Sequence, residues 1–134
     1  MEEGGLIAGS REEGRMHSAR PILVFESDGP VLSSLQFALS LDGLVVEDGA
    51  AEGANPSAAC CLVIDQRFRD DGLAFLAELR AQGCAAPAIL LATNPSRRTR
   101  CAAAAAGAVV IEKPLLGDEL ARALHRIAGC SHPA

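Results

Sequence analysis

Four apolar runs of strand length recur along this chain: ILVF at 22–25, CLVI at 61–64, AILL at 88–91 and AVVI at 108–111. Each places apolar side chains on both faces of an extended backbone, the pattern of a strand covered from two sides. Helically spaced segments lie between them. Val31–Leu41 carries apolar residues at Val31, Leu35, Ala38 and Leu39, with Pro30 suited to the first turn and Asp28 or Gly29 near the cap. Gly72–Arg80 gathers Leu73, Leu76 and Leu79 behind Asp71 as cap, with Gly83 near its end. Ser96–Ala106 is an Ala-rich helix, and Asp118–Ala128 turns Leu120, Leu124 and Ile127 inward ahead of Gly129. A further strand, Leu44–Glu47, follows the turn at Asp42-Gly43, and the segment DGAAEGANPSAA after it, broken by Gly and Pro, supports at most a short helix. Five strands joined through helical segments of this length imply parallel crossovers. The expected fold class is α/β, a doubly wound five-stranded parallel sheet with a shortened second helix.

Composition narrows the function. The chain has 134 residues, near the commonest domain size, and 49% of them are hydrophobic. Four Phe are its only aromatics, so the core must be built from Leu, Ile, Val and Ala. A net charge of −5 argues against a nucleic-acid binder. No apolar stretch approaches the ~20 residues of a membrane-spanning helix. The first residues, MEEGGLIAGSREEGRMHSAR, carry acids where a secretory signal would have bases, which predicts a cytoplasmic protein. Residues 1–20 read as a flexible tail, 21–129 as the folded domain and 130–134 as a short C-terminal tail. Cys60, Cys61, Cys84, Cys101 and Cys130 contain no C-x-x-C pair and are expected to be reduced thiols.

Open α/β sheets bind ligands outside the carboxyl ends of their strands. At that edge the first strand is followed by Glu26, Ser27 and Asp28, the third by Asp65, the fourth by Ala92 and Thr93, and the fifth by Glu112, Lys113 and Pro114. Carboxylates and a lysine therefore converge.

Three segments in order, ILVFESD, CLVIDQRFRDDGLAFLAELR and AAGAVVIEKPL, resemble the receiver domain of two-component response regulators over residues 21–129. The resemblance implies the flavodoxin-like strand order 2-1-3-4-5 and a phosphoryl-transfer site. Asp65 takes the phosphoacceptor position. Glu26, Asp65 and the backbone carbonyl of Arg67 match the family's Mg²⁺ ligands. Lys113 matches the residue that pairs with the phosphoryl oxygens, and the Lys113-Pro114 bond is usually cis in receivers.

Departures from the family pattern are specific. Ser27 replaces an acid expected to bind the metal, so Mg²⁺ affinity should be weakened; Asp28 stands beside it, either as a further oxygen ligand or as a helix cap. Ala92 occupies the switch position of a Ser or Thr that binds the phosphoryl group, and Thr93 comes one residue later, out of alternation. Val110 or Ile111 stands where an aromatic often switches rotamer. The loop after Asp65 is one residue short, with Arg69 where Pro is usual.

The implied function is a single-domain receiver in a phosphorelay, a signalling acceptor and not an enzyme. Its partners would be a sensor histidine kinase or phosphotransfer protein and a downstream effector, with homodimerisation left open. The alternative is a pseudo-receiver that binds proteins without phosphorylation. In the family, partners meet the face formed here by the Ser96–Ala106 helix, the strand after it and the last helix; Arg97, Arg98 and Arg100 fall on that face, where positive charge at a helix N-terminus opposes the macrodipole. His125, Cys130 and His132 match no zinc spacing, and no phosphate loop, dinucleotide turn or nucleophile elbow occurs.

Overall fold

The structure, a computed structural model, describes residues 20–115 and 118–128. The expected tails lie outside these residues, apart from Arg20, whose guanidinium donates to the Ala59 carbonyl at 3.1 Å. Strands β1 (Ile22–Phe25), β2 (Val46–Asp48), β3 (Cys61–Asp65), β4 (Ala88–Ala92) and β5 (Ala108–Glu112) form one parallel sheet in the order β2-β1-β3-β4-β5. Helices α1 (Gly29–Ser40), α2 (Gly72–Ala81), α3 (Arg97–Ala105) and α4 (Glu119–Ala128) cover it. The doubly wound fold expected from the alternating pattern is the fold observed.

Alternation along the strands divides the core. Leu23, Phe25, Leu62, Ile64, Leu90 and Ala92 point to the face covered by α2 and α3, where Leu76, Leu79 and Ala103 meet them. Ile22, Val24, Val63, Ile89 and Leu91 point to the opposite face, where Leu39 of α1 and Leu120 and Leu124 of α4 are buried. The central strands are apolar on both faces because both faces are covered.

Two elements differ from expectation. Strand β2 begins at Val46, not Leu44: the Leu44 N–H donates to the Leu39 carbonyl at 3.2 Å, so this buried leucine completes the end of α1 before the strand starts. In α1 the buried side is made by Leu32, Leu35 and Leu39, while Val31 and Ala38 are exposed and border a cleft between α1 and α4. The shortened second helix is a 3-10 turn at Pro56–Ala58, capped by Asn55.

That truncation leaves sheet surface to be covered by other means. Phe25, Phe68 and Phe75 cluster there with ring centroids 4.9–5.5 Å apart in tilted and edge-on packing. Gly49 lets the chain after β2 run against Phe25, for a Cβ at Gly49 would lie 2.5 Å from its ring. Arg69 stacks over Phe68 and Phe75 at 5.5 and 5.1 Å.

The cysteines depart from the expectation of uniformly reduced thiols. Cys61, Cys84 and Cys101 are free, but Cys60 is disulfide-bonded. Sequence spacing carries no sign of this, because disulfide pairing depends on distances between Cα atoms in the fold. Burial pushes the free Cys61 thiol up to about 12, as suits a small core hydrophobe. Among the described residues no helix is long and apolar enough to cross a membrane.

Candidate functional site

Asp65 ends β3 at the carboxyl edge of the sheet, beside the end of β1 and one strand away from β5. It is the buried charged residue of the described chain, only 5% exposed. Such a group persists as an ion only if its oxygens are satisfied. Oδ2 accepts from Lys113 Nζ at 2.7 Å, and Oδ1 accepts from the Arg67 N–H at 2.8 Å. Lys113 follows β5 directly, its own N–H donates to the Ala92 carbonyl at 2.8 Å, and the Lys113-Pro114 peptide is cis, as the resemblance implied.

Glu26 completes the cluster from the end of β1. Its carboxyl group is close enough to Asp65 to bear on its ionisation, and its Oε2 accepts the Asp28 N–H at 3.1 Å. Partial burial raises the Glu26 pKa, the Asp28 N–H offsets some of that, and the charge of Asp65 raises it further. Burial alone would raise Asp65 as well. The Lys113 hydrogen bond, the Arg67 N–H, the Lys113 charge and the neighbouring Glu26 carboxyl together hold it below the ordinary aspartate value. The pair is thus split, with Asp65 as the carboxylate and Glu26 as the group that more readily keeps a proton.

The other sequence-derived candidates fall into place around this pair. Asp28 caps α1: its Oδ1 accepts the Val31 N–H at 3.0 Å. Ser27 is exposed. Ala92 is fully buried and offers only a methyl group, while Thr93 is exposed and meets the site through its backbone N–H, which donates to Gln66 Oε1 at 3.2 Å. Arg97 and Arg98 open α3 on the surface; Arg100 is held by Glu112 at 2.8 Å, tying α3 to the end of β5.

The short loop after Asp65 has a local explanation. Arg69 has φ 52 and Asp70 φ 68. Proline is locked near φ −65°, so it could not stand at Arg69 in this loop. The loop closes where the Gly72 N–H donates to the Gln66 carbonyl at 2.8 Å, and a Cβ at Gly72 would overlap the Asp65 carbonyl.

A magnesium ion suits the donors present. It is commonly held by one or two carboxylates together with phosphate oxygens and water. Glu26 and Asp65 supply two neighbouring carboxyl groups, and the Glu26 pKa is raised first by burial and then by the charge of Asp65, which a cation would offset. The Arg67 carbonyl, already accepting from the Asp70 N–H at 2.9 Å, retains a second lone pair. Among the described residues no group of three or more acidic, His or Cys side chains is placed to hold a metal ion by itself.

No sequence-family model matches the chain, and no curated protein matches it in sequence. Solved structures do match. FixJ-N superposes with a TM-score of 0.69 at 24% identity, over 86% of this chain and 98% of that one. NtrX from Brucella abortus gives 0.70 at 26% identity, over 83% of this chain and 27% of that one. The beryllofluoride-activated NtrC4 receiver domain dimer gives 0.65 at 20% identity, over 83% and 98%. This chain has the fold of a response-regulator receiver domain. The receiver fold places the Asp65–Lys113 pair at the edge where open α/β sheets carry their sites.

Sequence reading anticipated Asp65, Lys113 and Glu26 at one edge, and the structure brings them together. It missed Gln66, whose side chain crosses from the Asp65 loop to Thr93. The only available signal was a long amide directly after a strand that ends in a carboxylate.

Proposed function

We propose that this receiver accepts a phosphoryl group on Asp65 from a histidine kinase or phosphotransfer protein and passes the signal to a partner. The observation that carries this reading is the 2.7 Å contact between Lys113 Nζ and a buried, ionised Asp65. An ionised carboxylate is the form required of an oxygen nucleophile. One Asp65 oxygen forms a bond to phosphorus as the bond from phosphorus to the donor's leaving atom breaks. The leaving group departs with the electron pair, and an acyl phosphate remains.

Lys113 keeps its positive charge beside the new phosphoryl oxygens, and the Arg67 N–H is aimed at the same carboxyl. Glu26, Asp65 and the Arg67 carbonyl would hold Mg²⁺, which when bound supplies charge neutralisation for the approaching phosphodonor. Neither of the two clefts, between α1 and α4 and between the far ends of α2 and α3, is lined by Asp65, Glu26 or Lys113. The output partner is an effector protein or a second copy of the chain.

A second reading, a pseudo-receiver that binds proteins without phosphorylation, is favoured by one observation: Ala92 is fully buried and bears no hydroxyl where the switch would be. Intact-mass analysis after incubation with acetyl phosphate and Mg²⁺ separates the two. The phosphoacceptor reading expects one added phosphoryl group on wild type and none on Asp65→Asn. An unlabelled wild type, sampled at early times, would sink it in favour of the pseudo-receiver.

A further inference from the structure

Gln66 joins three elements at the site. Its N–H donates to the Leu91 carbonyl of β4 at 2.8 Å, and its own carbonyl accepts from Gly72 at the start of α2, also at 2.8 Å. Its side chain goes further, with Oε1 accepting the Thr93 N–H at 3.2 Å. Among the described residues this is the side-chain hydrogen bond that links the Asp65 loop to the segment entering α3. That segment is tightly turned: Asn94 has φ 48, and Ser96 caps α3 by accepting the Thr99 N–H at 3.0 Å. A backbone donor at this edge is therefore held by a removable side chain instead of by the sheet ladder.

We propose that Gln66 is the positioning residue that transmits the state of Asp65 to α3, standing in for the hydroxyl that Ala92 lacks. The proposal rests on the reading of Asp65 as phosphoacceptor. A phosphoryl group on Asp65 adds charge and strong acceptor oxygens next to Gln66. Charged acceptors outcompete a neutral amide oxygen for an N–H donor. Loss of the Gln66 contact frees the Thr93–Ser96 turn, and with it the placement of Arg97 and Arg98 on the surface of α3. Ala92 can take no part in this exchange, because its methyl group has no hydrogen-bonding capacity.

The test follows backbone amides by NMR in the whole chain, for wild type, Gln66→Met and Gln66→Glu, before and after addition of beryllium fluoride with magnesium chloride. Methionine keeps the length of the stem without the acceptor oxygen; glutamate keeps an acceptor. Before addition, Thr93 amide exchange is expected to accelerate about fivefold in Gln66→Met, the equivalent of one ordinary hydrogen bond, and to stay near wild type in Gln66→Glu. After addition, wild type is expected to shift at Asp65, Arg67 and Lys113 and also from Thr93 to Arg100, whereas in Gln66→Met the Thr93–Arg100 segment starts displaced from wild type and moves less on addition. An equal response of the Thr93–Arg100 segment in wild type and Gln66→Met overturns the proposal. Silence at Asp65, Arg67 and Lys113 in wild type overturns the phosphoacceptor reading itself, and the transmission role falls with it.

Discussion

Lys113 and Glu26 both bear on Asp65, the one as its cation and the other as a neighbouring carboxyl group. Removing Lys113 leaves a buried carboxylate without its cation. Because the lysine side chain is itself 36% exposed, water would replace part of the lost interaction. Lys113→Ala is therefore expected to cost about 2 kcal/mol in urea denaturation, below the roughly 3–5 kcal/mol of a fully buried pair. The pH dependence follows from the direction of each shift. Asp65 lies below its ordinary value, so the stability it contributes is complete above the unfolded pKa and is lost as pH falls through the depressed folded value. Glu26 lies above its ordinary value of 4.5, so in the window just above 4.5 the folded state binds more protons and stability falls as pH rises. Glu26→Gln keeps the shape of the side chain and has no charge to carry into this partly buried place beside Asp65. At neutral pH without Mg²⁺ its Tm should exceed that of wild type by about 2 °C, a gain discounted for the partial exposure of this site. Thermal scans at stepped pH should show the gain fading below pH 4.5; a gain that persists in acid would mean that the ionisation of Glu26 is not its source.

At the level of elements, the strands were legible because a buried parallel strand is a local pattern, and so were the residues at their carboxyl ends. The contacts that lock the elements were not. Arg80, which sequence reading treated only as the end of a helix, donates through Nε to the Ala106 carbonyl at 2.8 Å and through its terminal nitrogens to Ala86 at 2.6 Å, Cys84 at 3.1 Å and Gly107 at 3.4 Å. One guanidinium thus fastens the end of α2 to the end of α3 and to the turn into β5. Nothing near Arg80 in the chain marks those carbonyls, which lie up to 27 residues away. Arg80→Met, which preserves the stem, should cost about 2–3 kcal/mol by leaving several carbonyls without their charged donor. Equilibrium denaturation would report it, and a change within about 0.5 kcal/mol, as for an ordinary surface substitution, would mean that water replaces the guanidinium. Gly72 is fixed by a different constraint, contact with the backbone of the phosphoacceptor strand. Gly72→Ala should cost about 3 kcal/mol through overpacking and should displace Asp65 with it.

Across the whole molecule, one departure from a full set of crossover helices organises several residues that look unrelated in sequence. The segment between β2 and β3 makes only a 3-10 turn, yet Phe25 beneath it is 1% exposed. Coverage comes from Gly49, whose missing Cβ admits the backbone, and from Phe68 and Phe75, which arrive from the Asp65 loop and from α2. Three of the four phenylalanines of the chain are spent here, so the aromatic count already held a clue, but only the fold shows that they meet. This packing connects stability to the site, because Phe68 belongs to the loop that begins at Asp65 and closes at Gly72. Phe75→Ala should therefore have two effects. It should destabilise the domain by about 3 kcal/mol, the low end for loss of a core aromatic because Phe75 is only partly buried. It should also loosen the Arg67–Asp70 loop, since Phe68 and the stacked Arg69 lose a wall they share. Hydrogen exchange at the Asp70 and Gly72 amides would read the second effect separately from global unfolding measured by denaturant. Faster exchange at those amides than global destabilisation accounts for would show that the aromatic cluster holds the phosphoacceptor loop in place. Exchange that tracks global stability alone would confine the cluster to covering the sheet.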